Sequence, residues 1–210
     1  MTSSRQHPGR DNVLEMQAVR ALAHPLRIRI LDELSMFGPL TASGLGERLA
    51  ESSGSMSYHL RQLEKHGIVR EVEGKGSARE RWWERVPGSI SVPEPRDFPA
   101  GSAERLATQL VEDEWNRGRE AVFHEFVREG ESVFGPEWLD VSSFDTINLR
   151  LTPEQLHGLV TEIDEVLWRY IGAYKTTPSP GSRPVQIQLN AFPLVRGDVS
   201  GDVSGGEKNA

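Results

Sequence analysis

The fold is decided by residues 41–85, which read TASGLGERLAESSGSMSYHLRQLEKHGIVREVEGKGSARERWWER. Thr41 is suited to cap a short helix that runs through Ala50. A break at 52–54 precedes a second helix. Its apolar residues, Met56, Leu60 and Leu63, lie four and three positions apart, and Gly67 ends the helix. Alternating residues on either side of a glycine-rich turn then predict a β-hairpin over 68–85. Trp82 and Trp83 point to opposite faces of the second strand, so one of them is expected in the core.

The residues before this stretch add two helices. An apolar stripe runs from Val13 to Leu22, and Pro25 is placed to open a further helix that Gly38 and Pro39 end. The order is therefore helix, helix, short helix, helix and hairpin. This order is the plan of a winged helix-turn-helix domain, predicted here for residues 12–87.

A family resemblance rests on two runs, ALAHPLRIRIL at 21–31 and SYHLRQLEKHGIV at 57–69. They resemble the ArsR-type winged-helix transcriptional regulators over about residues 13–86. The resemblance implies a cytoplasmic bacterial or archaeal homodimer that binds a near-palindromic operator, usually as a repressor. Relatives commonly carry an acidic residue where Gly44 stands, which would complete a capping box after Thr41. The family's metal sensors use cysteine ligands, and because this chain has no cysteine that mechanism is excluded.

The helix at 53–65 carries most of the predicted DNA contacts. Its apolar side is Met56, Leu60 and Leu63, and its other side is polar. Small hydroxyl side chains let the helix approach phosphates closely, and Arg and Gln side chains can bond guanine and adenine edges. A solvated helix face is the alternative, but the position between a helix-turn-helix break and a wing favours DNA. The predicted contacts are Ser53, Ser55, Ser57, Tyr58, His59, Arg61, Gln62 and Lys65.

Two further points concern His59 and the wing. His59 lies at the core edge, so a buried hydrogen-bonded histidine and a phosphate contact stay open as alternatives. In the hairpin, a Gly-Lys-Gly tip lets the backbone approach a phosphate or the minor groove. The wing offers Lys75, Ser77, Arg79 and Arg81, of which Lys75, Ser77 and Arg79 are the predicted contacts, and a plain surface turn is the alternative.

Charge separates the two halves of the 210-residue chain, whose formal net charge is −7. Residues 1–86 hold 13 Lys and Arg against 11 Asp and Glu, whereas residues 87–210 hold 11 against 20. The negative charge of the whole chain argues against a protein that is coated in nucleic acid. The first half, however, is mildly basic, as expected of a DNA-binding domain. The sequence shows neither a signal peptide nor an apolar run of membrane length, so a cytoplasmic protein without membrane contact is expected.

The second half is predicted to form a separate domain. Residues 88–101 are proline-rich and are interpreted as a linker, and residues 1–11 and 197–210 as disordered tails. Residues 102–196 predict an α+β domain for dimerisation or effector binding, and its first helix is a candidate dimer seam. The whole fold is expected to be mainly α with small β. The predicted elements of the second domain are a helix over 102–130, a strand over 147–151, a helix from Pro153 to about Tyr174 and a strand over 185–191.

No catalytic residue, cofactor or metal site is expected. The sequence GKGS at 74–77 lacks the upstream glycine of a P-loop. Glu120, His124 and Glu125 share a helix face that could bind a metal, although an exposed helix face is the favoured interpretation. Eleven of the 15 aromatic residues lie after residue 87, where a core or dimer interface is favoured over a small-molecule pocket.

These observations favour a sequence-specific regulator, not an enzyme, with double-stranded DNA and a second copy of the chain as partners. Two alternatives stay open. The acidic total charge is consistent with a winged helix that binds proteins and has lost DNA binding. The aromatic second domain is consistent with a regulator that binds a small organic effector.

Overall fold

The computed structural model describes residues 13–77, 80–88, 90–174 and 179–195. The predicted tails, 1–11 and 197–210, and the candidate contact Arg79 lie outside the described residues. The described chain is mainly helical with one small antiparallel sheet, as predicted. Its elements are α1 (Met16–Leu22), α2 (Pro25–Phe37), β1 (Leu40–Thr41), α3 (Ala42–Leu49), α4 (Ser53–Lys65), β2 (Val69–Ser77), β3 (Glu80–Arg85), α5 (Ala103–Val133), α6 (Pro136–Leu139) and α7 (Pro153–Tyr174).

Local caps set the bounds of the N-terminal helices. Pro25 occupies the first position of α2, as predicted. The Thr41 hydroxyl oxygen accepts a hydrogen bond from the Gly44 backbone N–H at 3.0 Å, which confirms the predicted cap of α3. Because Gly44 has no acidic side chain, only this half of a capping box forms. After α4, Gly67 has φ 66° and the Ile68 N–H donates to the Leu63 carbonyl at 3.0 Å, so the predicted stop is also confirmed.

The sheet has the strand order β1-β3-β2, and all its pairs are antiparallel. The β2–β3 hairpin confirms the predicted wing, with Val69 opposite Arg85. β1 was not expected from the sequence, because two residues are too short to show an alternation. Leu40 pairs with Trp83, which is the buried member of the tryptophan pair. β1 therefore joins the wing to the helices.

One apolar core lies beneath these elements and extends into α5. Leu60 and Leu63 of α4 are fully buried there, and burial of each such side chain is worth about 1.5–3 kcal/mol. Val111 of α5 is fully buried in the same cluster. Arg20 of α1 donates to the Glu104 carboxylate of α5 at 2.5 Å. These contacts place α5 with the winged helix.

The proline-rich stretch also packs against this core. The Leu14 N–H donates to the Ser91 carbonyl at 2.8 Å, and Ile90 and Val92 lie against the core cluster. The two compact units of the chain divide between Thr146 and Ile147, which differs from the predicted linker at 88–101. The difference arises because apolar side chains of 88–101 and α5 complete the core that the winged helix begins.

The second unit, from residue 147 onward, is built differently. α7 begins where predicted. The Thr152 hydroxyl accepts a hydrogen bond from the Gln155 backbone N–H at 3.3 Å, and the Gln155 side-chain oxygen accepts one from the Thr152 backbone N–H at 2.9 Å. The strands predicted over 147–151 and 185–191 are not formed, which corrects that part of the α+β prediction. Their apolar residues are exposed, and no strand among the described residues pairs with either segment.

Candidate nucleic-acid interface

A tight junction between α3 and α4 sets the position of the recognition helix. Ala50 has a left-handed φ of 55°, and the Glu51 N–H donates to the Gly46 carbonyl at 2.8 Å. A Cβ at Gly46 would lie 2.6 Å from the Glu51 carbonyl oxygen, so only glycine lets the two helices turn this closely. The Ser52 hydroxyl accepts from the Ser55 N–H at 3.1 Å and caps α4. The geometry is that of a helix-turn-helix.

The outer face of α4 carries most of the predicted contact residues. Met56, Leu60 and Leu63 turn inward and are fully buried, which fixes the rotation of the helix. Tyr58 is 56% exposed, so more than half of the residue is accessible. The remaining predicted contacts divide into an exposed set, Ser53, Arg61 and Lys65, and a half-buried set, Ser55, Ser57 and Gln62.

His59 is the exception among the predicted contacts on α4. Only 8% of it is exposed, and its Nδ1 accepts a hydrogen bond from Arg27 Nε at 3.3 Å. Of the two alternatives that the sequence left open, the structure shows the buried hydrogen-bonded histidine. Burial is the main cause that lowers the pKa of His59, and the nearby His24 and Arg27 lower it further. His59 therefore lies behind the outer face of α4.

The wing presents Lys75 on an irregular strand. The pairing of β2 with β3 shifts between Glu71 and Gly76, so the intervening residues of β2 bulge out of the ladder. Gly74 and Gly76 on either side of Lys75 have φ 70° and 101°, values that favour glycine. Lys75 Nζ lies 3.8 Å from the centroid of the Trp82 ring. This cation–π contact holds the lysine at the wing, where it is exposed.

Other wing cations are paired within the hairpin. Arg70 forms an ion pair with Glu84 across the strands at 2.7 Å, and Arg81 forms one with Glu71 at 3.4 Å. These pairs reduce the charge that the two arginines present to an anion. Ser77 ends β2, opposite Glu80 in the register. Among the predicted wing contacts, Lys75 is the one that lies exposed over the Trp82 ring.

Sequence reasoning missed the supporting residues of this surface. Arg27 and Trp82 hold His59 and Lys75, respectively, but neither belongs to the predicted contacts. The signal for Trp82 was available, since it alternates with the core residue Trp83 next to a lysine-bearing turn. No local pattern indicated Arg27, because its partner lies 32 positions away.

The alternative metal site does not assemble. Glu120, His124 and Glu125 are exposed on α5, as the favoured interpretation expected. Among the described residues, no group of three or more His, Cys, Asp or Glu side chains is placed to hold a metal ion. In the same residues, no helix is long and apolar enough to cross a membrane.

A comparison with known families finds a match in the N-terminal part of the chain. Residues 22–72 match the family model of a helix-turn-helix domain. This segment runs from the end of α1 into β2 and contains both helices of the turn. The match and the geometry support a helix-turn-helix domain followed by a β-hairpin wing. No curated protein has a significant similarity to the chain.

Several solved structures are distantly similar to the chain. Reduced HlyU from Vibrio cholerae is 22% identical, with a TM-score of 0.30, over 46% of this chain and 79% of that one. The adhesin competence repressor AdcR from Streptococcus pyogenes is 16% identical, with a TM-score of 0.31, over 68% and 80%. The transcriptional regulator Tm0710 from Thermotoga maritima is 12% identical, with a TM-score of 0.30, over 75% and 89%.

Proposed function

We propose that this chain is a sequence-specific DNA-binding transcriptional regulator of the ArsR type, which acts as a homodimeric repressor on a near-palindromic operator. The observation that carries the proposal is the exposed polar face of α4 beside the Lys75 wing. A helix of this kind enters the major groove with its N-terminal half toward the bases, while the wing lies along the backbone.

The side chains of α4 have separate roles in this proposal. Arg61 is exposed in the middle of the helix and reads a guanine edge, and the half-buried Gln62 reads an adjacent adenine. Ser53, Ser55 and Ser57 bond phosphates at the start of the helix, where backbone N–H groups also point outward. Tyr58 contacts a thymine methyl or a phosphate. Lys65 and Lys75 bind phosphates at the two ends of the surface, with Ser77 and Arg79 as further wing contacts.

A second copy of the chain is the proposed partner. Two recognition helices bind a palindrome when the dimer places them about 34 Å apart, one turn of the duplex. Apolar side chains that a dimer could cover are exposed on α5 and α7, including Leu106, Val127 and Tyr170. Residues 147–195 contain four Lys and Arg against four Asp and Glu, so two copies of this segment do not repel each other. The acidic second half is proposed to face away from DNA.

Selection of binding sites from random duplex DNA with the purified chain tests this function. We expect a near-palindromic sequence with half-sites about one helical turn apart. Fluorescence anisotropy with the selected duplex and a scrambled duplex then measures the specificity ratio, and sedimentation measures the subunit number on DNA. Equal binding to both duplexes, or no binding at low salt, would contradict the proposal and would favour the protein-binding alternative.

A further inference from the structure

We propose that Arg27 and His59 form a buried donor–acceptor pair that positions the recognition helix, and that protonation of His59 breaks this pair and weakens operator binding. Arg27 is then a positioning residue, which acts on DNA only through α4. The proposal rests on the DNA-binding function proposed above, and it adds a residue and a pH response to that function.

The Arg27 guanidinium joins three helices of the winged domain. Arg27 belongs to α2, and its Nη1 donates to the Ala21 carbonyl in α1 at 2.5 Å. Its Nε donates to Nδ1 of His59 in α4 at 3.3 Å. Both contacts are partly buried, where a polar group that loses its partner is costly. The pair therefore fixes α4 relative to the two helices behind it.

The contact requires His59 to be neutral. An arginine side chain can only donate hydrogen bonds, so Nδ1 of His59 must carry a lone pair and the ring proton must lie on Nε2. Protonation of Nδ1 would place two donors against each other and add a second positive charge beside Arg27. Since neither ring nitrogen of a protonated histidine can accept, the pair cannot survive in that state.

The surroundings of His59 favour the neutral form. The His24 ring lies behind it, with centroids 4.7 Å apart, and Nδ1 of His24 accepts from the Leu26 N–H at 3.2 Å. The Tyr58 ring meets His59 edge-on at 5.1 Å. Burial lowers the pKa of His59 most, His24 and Arg27 act in the same direction, and the Glu51 carboxylate opposes them. The titration of His59 in the folded chain therefore lies below its ordinary 6.5.

This mechanism gives operator binding an unusual dependence on pH. Protonation of histidines makes a protein more positive, which by itself strengthens DNA binding. Here protonation of His59 displaces α4, and the outward-facing Tyr58 and Arg61 move with it. Operator affinity is therefore expected to fall as the pH drops through the lowered pKa of His59, against the general electrostatic trend.

The test is the affinity of the full chain for its selected operator between pH 8 and pH 5 at constant ionic strength. In wild type we expect operator affinity to fall by up to about tenfold for each pH unit below the lowered pKa of His59, because one proton is linked to the loss of the Arg27 contact. His59→Asn places an amide oxygen near the position of Nδ1 and does not titrate, so its affinity should not fall toward pH 5 and should follow the general electrostatic trend of the other histidines. His66→Asn, at the end of the same helix, is the matched control and should keep the wild-type profile.

A second readout does not depend on DNA. The ¹⁵N spectrum of the His59 ring should show a proton on Nε2 at pH 7.5, and circular dichroism should confirm that His59→Asn is folded. Operator affinity that stays level or rises toward pH 5 in wild type, or a proton on Nδ1 at pH 7.5, would overturn the proposal. If the chain binds no DNA at any pH, the proposed function fails and the positioning role fails with it. A proton on Nε2 would still support the Arg27–His59 pair itself.

Discussion

Helices α4 and α7 have equally clear apolar faces in the sequence, but only one of these faces is covered. In α4, Met56, Leu60 and Leu63 are fully buried. In α7, no residue is buried, and Leu159 and Ile171 are 36% and 39% exposed. Helical period tells which residues share a face, whereas burial depends on what packs against that face. The apolar face of α7 is therefore only partly covered, whereas that of α4 is buried within the winged helix.

The largest effect is expected on the free energy of unfolding, when one leucine from each helix is replaced by alanine. Leu60→Ala should lower the free energy of unfolding by about 2–5 kcal/mol, because it removes a fully buried side chain and leaves a cavity. Leu159→Ala should cost less than about 1 kcal/mol if its face stays partly exposed in solution. Urea unfolding followed by circular dichroism measures both changes.

The same pair of variants also tests the proposed dimer. If Leu159→Ala costs as much as Leu60→Ala, and if its cost grows with protein concentration, α7 is covered by a second copy. A small and concentration-independent cost would remove α7 from the dimer interface. Sedimentation of both variants provides the control for a change of subunit number.

The sequence predicted the local features of the fold well, because caps and turns depend on neighbouring residues. The hydroxyl of Thr41, the glycine at 67 and the Thr152–Gln155 box each act within a few residues, and all are found where expected. The outer face of α4 follows from the same short-range pattern. A helix that buries every third or fourth residue turns most of the residues between them outward, and His59 is the exception here.

Features that depend on distant residues were not predictable in this way. The packing of α5 on the winged helix requires Val111 to meet a core whose residues lie 28 to 97 positions earlier in the chain. Apolar and polar residues do alternate over 185–191, but this segment forms no strand, because a strand needs a neighbour to pair with. In the candidate site, His59 could not be assigned until its partner Arg27 was placed beside it.

The second prediction tests whether α5 belongs to the folded unit of the winged helix. Asp32 of α2 faces Gly118 of α5, and burial is the main cause that raises its pKa from 3.8 to about 6. Glu33 and Glu114 also raise it, and Arg119 lowers it. The folded state therefore favours the protonated carboxyl. The resulting stability is present below pH 3.8 and is lost as the pH rises to about 6.

Asp32→Asn should accordingly stabilise the chain at pH 7 by about 1–3 kcal/mol and much less at pH 4. Urea unfolding at the two pH values measures the difference. Asp97→Asn removes an exposed carboxylate and serves as the matched control. Equal effects of Asp32→Asn at both pH values would show that Asp32 is solvated, and α5 would then be separable from the winged helix.

The third prediction compares how the loss of one arginine from each unit affects DNA binding. Arg61→Ala should weaken operator binding by about 1–3 kcal/mol and relax the preference at one base position. Arg169→Ala removes the same charge from α7 and should leave both affinity and preference nearly unchanged. Anisotropy with single-substitution operators measures both. An equal loss for Arg169→Ala would mean that the second unit also contacts DNA, and the assignment of DNA reading to α4 alone would fail.

The smallest expected effect concerns the wing. Lys75 is held over Trp82 and is proposed to bind a phosphate, so Lys75→Gln should weaken the operator and a scrambled duplex alike. The loss should be about 1 kcal/mol or less, and the slope of log affinity against log salt should fall by about 1. Arg150→Gln, which removes an exposed charge from the second unit, should leave the slope unchanged. A change of sequence preference in Lys75→Gln would instead place Lys75 against a base edge in a groove, because phosphate contacts carry no direct sequence information.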